Sequence, residues 1–283
     1  MEILQYGFMQ RALLAGILVS ITCGVIGTYV VVRRMVFISG GISHSAFGGI
    51  GLGYLAGIDP VIGAMLFAVV SALGIGAISR RTRVPEDTAI GILWAVGMAL
   101  GVIFIGLSPG FAPDLFGYLF GSILAVSSSD LIMMAALTAV ILVVVTLLFK
   151  ELLTLSFDEE FARVSGVHTG WVYFALVILI ALSVVVLIRA VGIILLIALL
   201  TIPAAISRQF VNSLSRMMLM STVLGIVFVV CGLLLSCVLD LASGATIILL
   251  SGAVFLLSVG VSRWRRNRLA ERVREMAQPS LPA

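Results

Sequence analysis

Charge is scarce in this chain, with Asp, Glu, Lys and Arg making up 11% of its 283 residues. Soluble domains carry roughly a quarter of their residues as charges, so a water-facing globule is excluded. There is a single lysine, Lys150, and no G-x-x-x-x-G-K-[ST] stretch, which excludes ATP hydrolysis by a P-loop within this chain. Cysteines number only three, Cys23, Cys231 and Cys237, and all fall inside apolar runs. With no C-x-x-C spacing and no shared helical face for Cys231 and Cys237, neither a zinc motif nor a disulfide framework is indicated, and they read as packing residues. Histidines number two. Without H-E-x-x-H, paired intramembrane aspartates or an acid to support a Ser-His pair, the chain lacks the machinery of an intramembrane enzyme.

What remains is apolar: 61% hydrophobic residues and a mean hydropathy of +1.27. Such a chain belongs in lipid, where every backbone polar group must be paired internally and helices are the economical solution. The charges are bunched, and uncharged runs lie between the bunches. These cover about Ala12 to Val32, Met35 to Gly57, Pro60 to Ser79, Thr88 to Leu107, Leu131 to Phe149, Trp171 to Ile188, Val191 to Ser207, Met217 to Leu239 and Ala245 to Ser262. About 20 helical residues cross a bilayer core, so the pattern predicts an all-α polytopic membrane protein of about nine transmembrane helices, with eight to ten as the range. Ser108 to Val126, interrupted by Pro109, Gly110, Pro113 and Asp114, reads as interfacial or re-entrant. The transmembrane domain occupies residues 1–262, and a basic tail occupies 263–283.

Orientation follows from the arginines. Arg33 and Arg34, Arg80, Arg81 and Arg83, Lys150 and Arg163, and Arg208 and Arg216 follow alternate spans, and Arg263, Arg265, Arg266 and Arg268 follow the last. All fall on one side, which the positive-inside rule makes cytoplasmic, with the N-terminus outside. Arg189 is the exception. The net charge of +4 thus expresses side bias and gives no reason to invoke nucleic acid.

Span two is the unusual one. It holds His44 in an otherwise uncharged stretch, together with Gly40, Gly41, Gly48, Gly49, Gly51, Gly53 and Gly57. Small residues let helix backbones meet closely in lipid, so this span is expected at the centre of the bundle. An imidazole at bilayer depth suggests an ion path or a proton relay, with a neutral hydrogen-bonding role at a helix interface as the plainer reading. Ser39, Ser43 and Ser45 either face a polar path or bond back to their own helix. Pro203, in the run TIPAA, is either a hinge that exposes a carbonyl near Leu199 or a packing kink.

The connection from Lys150 to Gly170, and within it about residues 156–170, reads as a docking element. Asp158, Glu159 and Glu160 suit the start of a short helix, and Ala162 and Gly166, four apart, are expected to present one smooth face. His168 reads as a loop or docking residue, since no second ligand is helically spaced with it.

Several strings in order resemble one family. They are GTYVVVRRMVFISGGISHSAFGG from Gly27, DTAIGIL from Asp87, YLFGSILAV from Tyr118, DEEFARVSG from Asp158, VGIILLIALLTIPAAISRQF from Val191 and DLASG from Asp240. Together they are similar to the permease subunit of zinc, manganese and iron ATP-binding-cassette importers, over nearly the whole chain up to about Ser262. That resemblance implies a type II importer-like bundle with a cytoplasmic coupling helix, in the plasma membrane of a bacterium or archaeon. It implies a separate ATPase that binds the ATP, an extracytoplasmic metal-binding protein, a second permease copy, and a transported divalent metal with no cofactor on this chain. It assigns coupling to Asp158, Glu159, Ala162 and Gly166. Many members carry an aspartate one helical turn before the span-two histidine, whereas this chain has Gly40. A transient shell would therefore draw on two copies of His44, with Asp240 near the outer mouth, Ser43, or carbonyls freed near Pro203. The alternative function is an ATP-independent secondary transporter or channel for metal cations, which would leave DEEFARVSG unexplained.

Overall fold

A computed structural model describes residues 6–109 and 121–277. Eleven helices follow in order among them: α1 (Gly7–Val32), α2 (Val36–Ala56), α3 (Pro60–Arg81), α4 (Glu86–Leu107), α5 (Ser128–Leu147), α6 (Phe149–Phe157), α7 (Glu159–Val164), α8 (Thr169–Ile188), α9 (Ala190–Phe210), α10 (Leu214–Leu239) and α11 (Ser243–Ala277). Eight are long and apolar enough to cross a membrane. The ninth expected span is α2, 21 residues long but diluted by glycine, serine and His44. Its neighbours shield it, so it has no need of an apolar surface for lipid. Of the Ser108 to Val126 segment, Pro113, Asp114 and Tyr118 lie outside the described residues. Its far end forms a 3₁₀ turn, Ile123–Ala125, with Ile123 buried.

Local signals set the helix limits. Asp59 caps α3 by accepting from the Val61 amide at 2.8 Å, with Pro60 in the first turn, where its missing N–H is no loss. Ser127 and Asp130 form a capping box at the start of α5. In the first turn of α9, beside its junction with α8, Gly192 leaves helical geometry at φ 75° and ψ 167°, a region only glycine occupies readily. Tyr173 in the first turns of α8 lies against Arg80, and Arg208 in the last turn of α9 bonds the Val31 carbonyl. Both outer ends of the pair therefore lie at the arginine-rich end of the bundle, and the chain turns back at the break. α11 runs unbroken from the last span into Ala277, so the described part of the basic tail continues that span as one helix.

The core is built on close backbone approach. A β-carbon on Gly49 would lie 2.1 Å from the Gly63 carbonyl oxygen of α3, and one on Gly51 would lie 2.6 Å from the Gly101 carbonyl oxygen of α4. In the second half of the molecule, α1 meets α9 at Gly27, where a β-carbon would stand 2.0 Å from the Leu200 carbonyl oxygen. Thr22 and Thr138 share a hydrogen bond of 2.9 Å between α1 and α5. The faces turned away from these contacts carry exposed residues such as Ile103, Ile132, Val143 and Leu256, as a lipid-facing surface requires.

Gly49→Val is accordingly expected to separate α2 from α3 and lower the detergent melting temperature, at a cost of about 1–3 kcal/mol or more. Gly106→Ala, at a position where a β-carbon meets nothing within 4 Å, should melt as the parent does.

Candidate functional site

Two places combine chemistry-bearing side chains, one in mid-membrane and one at the arginine-rich end. In the first, α2 carries His44 half-buried at its middle. The imidazole stacks on the indole of Trp94 from α4, with ring centroids 4.1 Å apart and planes 7° from parallel. Its Nδ1 is buried and has no hydrogen-bond partner among the described residues. Gly40 lies one turn earlier beside the same indole, and a β-carbon there would sit 3.9 Å from both Trp94 and Ile197, ordinary contact distance. A β-carbon would fit, so close backbone approach is not what requires glycine at this position.

The serines do not add to this face. Ser43 donates to the Ser39 carbonyl at 2.7 Å and Ser45 to the Ile42 carbonyl at 3.1 Å, the back-bonding arrangement. Asp240 is not brought to His44 within one chain. It caps the far end of α10 in left-handed geometry (φ 54°), exposed, whereas His44 lies twelve residues, or about 18 Å, below that end of α2. Among the described residues no three His, Cys, Asp or Glu side chains gather as a metal site. Pro203 does not interrupt its helix. α9 continues through it, its carbonyl accepts from Ser207 at 2.8 Å, and Ser207 in turn accepts from Ser221 of α10 at 3.0 Å. The departure from helix is at Gly192, eleven residues earlier.

The second place is the short helix α7. Asp158 accepts from the Phe161 amide at 2.8 Å as its N-cap, and Glu159 and Glu160 fill the positive first turn. Ala162 is fully buried, packed toward the body, while Phe161 and Val164 are exposed at 61% and 88%. The expected smooth face of Ala162 and Gly166 is not formed. The helix stops at Val164, and Gly166 follows it at φ 83°, a left-handed stop that turns the chain toward α8. Ala162 thus anchors α7, and its exposed face is aromatic and aliphatic.

Glu159 ties this helix to the spans. Its two carboxylate oxygens take Arg33, just past α1, at 3.4 Å and Arg80, in the last turn of α3, at 2.9 Å. Arg33 also donates to the Leu155 carbonyl of α6. Both guanidinium groups lie over the ring of Tyr173 in α8, at 5.9 and 4.2 Å, and the Tyr173 hydroxyl donates to Glu86 at the start of α4 at 2.7 Å. One carboxylate and one phenol thereby join α7 to the ends of α1, α3, α4 and α8. His168 stands exposed just before α8, with no capping bond from its side chain.

Sequence reading missed Trp94 and the roles of Arg33, Arg80, Glu86 and Tyr173. The arginines were legible only as markers of a membrane side, and Tyr173 and Trp94 sit in apolar runs that give no sign of their partners.

A multi-pass helical bundle with an anchored polar helix at one end and a shielded imidazole in its middle has the design of a membrane transport protein. The chain belongs to the ABC 3 transport family, whose model matches residues 5–262. It is 46% identical to an uncharacterized membrane protein of Synechocystis sp., over 93% of each chain. It is 36% identical to the manganese transport system membrane protein MntC of Listeria innocua, over 90% of this chain and 91% of that one. Among solved structures it resembles PsaBC from Streptococcus pneumoniae in complex with Fab, at a TM-score of 0.81 and 36% identity over 90% and 92% of the two chains.

Glu159→Gln removes the charge shared by two arginines, and partly exposed pairs of this kind are worth about 1 kcal/mol together. Amide exchange within residues 159–164 is expected to quicken about fivefold, and the exchanged pair Glu159→Arg with Arg80→Glu to recover part of the loss. Unchanged exchange in the single variant would remove Glu159 as the tie.

Proposed function

We propose that this chain is the membrane-spanning permease of an ATP-driven importer of divalent transition-metal ions, working as one of two copies around a shared path. The observation that carries the reading is α7, a capped helix anchored at Ala162 and tied by Glu159 to α1 and α3, with an apolar face left open. An ATPase on a separate chain docks there, with Asp158 holding the helix start and Gly166 its end. An extracytoplasmic metal-binding protein meets the opposite end of the bundle. The arginine-rich end is cytoplasmic, with the N-terminus outside.

Closure of the ATPase displaces α7, and the Glu159 ion pairs carry that displacement to α1 and α3. Tyr173 and Glu86 extend it to α8 and α4. Because α2 is held backbone to backbone between α3 and α4, it moves with them and re-aims His44. A lone imidazole is a weak site for a divalent cation, which suits a path that must release its ion, and the copy of His44 in the second permease supplies a further nitrogen donor. Asp240 serves the outer mouth as an attracting charge. The names of relatives such as MntC support manganese among the candidate ions.

The test is ATPase activity of the reconstituted complex with its binding protein, compared across zinc, manganese and iron. His44→Ala is expected to reduce metal-stimulated transport at least tenfold while the ATPase still co-purifies; full transport across metal concentrations would assign His44 to structure alone. A bulky residue at Gly166, where φ is 83°, is expected to abolish co-purification of the ATPase. A chain that transports metal without any ATPase would establish the secondary-transporter alternative.

A further inference from the structure

At the arginine-rich end, away from α7, a cavity of about 750 Å³ opens between the last turns of α1 and α9 and the middle of α11. Its lining is graded along the helix axes. Ala205, Phe255 and Val259 form the deeper wall, and Arg208, Asn212 and Arg265 stand at the rim. Phe255, Val259 and Arg265 of α11 all line the cavity, and ten residues separate the first from the last, so the grade from aromatic floor to cationic rim spans about 15 Å along the helix.

Among the described residues no carboxylate pairs with Arg208 or Arg265, and no Asp or Glu lines the cavity. Arg208 donates to the Val31 carbonyl at 2.9 Å, which uses one of its five N–H groups and fixes its direction. Arg265 rests over the Phe210 ring at 6.0 Å. Both side chains are exposed and keep donors free, and a planar guanidinium suits a phosphate oxygen pair. The cavity lies beside the arginine cluster that closes the last apolar run, Arg263, Arg265 and Arg268, where the positive-inside pattern places the headgroup region. Beside it, Leu256 and Leu257 are each 70% exposed, so α11 faces acyl chains next to the opening.

A ligand matching this grade carries an anionic phosphate at one end and hydrocarbon at the other. We propose that the cavity is a binding site for an anionic phospholipid, whose phosphate lies between Arg208 and Arg265 and whose upper acyl chains lie along Phe255 and Val259. A lipid so placed braces α11 against α9 at the end where the bundle receives force. The site is independent of the transported ion and of the docking helix, so it stands or falls apart from the importer reading.

The test is native mass spectrometry of the purified full chain titrated with phosphatidylglycerol and, separately, with phosphatidylcholine. Wild type is expected to retain phosphatidylglycerol selectively. The Arg208→Gln, Arg265→Gln double variant should bind it at least tenfold more weakly, about the effect of two juxtamembrane cations. Val259→Trp, which fills the apolar wall and leaves both arginines in place, should also lose lipid, and melting curves check that each variant is folded. Equal retention of the two lipids, or undiminished phosphatidylglycerol binding by both variants, overturns the proposal. Displacement of the lipid by excess inorganic phosphate overturns it as well, since it would assign the rim to a soluble anion.

Discussion

The contact between α2 and its two neighbours is the constraint on which the rest depends. Lipid offers helices no hydrophobic reward for associating, so packing must come from dispersion at short range, and dispersion is strong only where backbones nearly touch. Gly49 against Gly63 and Gly51 against Gly101 meet that condition. They also resolve the difficulty of His44. A span with this many glycines, three serines and an imidazole is poorly suited to face acyl chains, and its glycines bring α3 and α4 close enough to enclose it. Trp94 then closes one face of the imidazole, so a titratable ring is held at depth on a rigid aromatic surface.

The arginine-rich end follows a different rule. There the spans end and water is available, and the connections are made by charge. Glu159 lies where three cationic or aromatic groups from separate helices converge, so a small helix with a single buried alanine is held to the ends of four spans. Individually such contacts are weak, but they are arranged in series between the exposed face of α7 and the glycine-packed α2 to α4 unit. In the proposed coupling, displacement of one end passes to the other because the interior beyond it is close-packed and deforms little.

Much of the architecture was legible from residue order. The charge-free runs marked the spans, and Asp158 with two following glutamates marked a short helix start, because capping and hydropathy act within a few residues. The same logic failed where it assumed a continuing helix. Ala162 and Gly166 share a face only if the helix passes Val164, and the left-handed Gly166 ends it. Pro203 looked like the disruptive residue of α9, yet the break falls at Gly192, where only a flexible residue allows the chain to turn back on itself.

The sequence by itself determined the solvent, the helical class, the approximate spans, the side bias of the arginines and the presence of one imidazole at bilayer depth. Each depends on composition or on neighbours a few positions apart. Only the tertiary structure decided what His44 touches, that Asp240 stands exposed at the far end of α10, that Ala162 points inward, and that Arg33, Arg80, Glu86 and Tyr173 meet at α7. Those pairings join residues up to 126 positions apart, and no local preference encodes them. They arise when glycines on α1 and α2 set how closely, and therefore in what register, the other helices can pack.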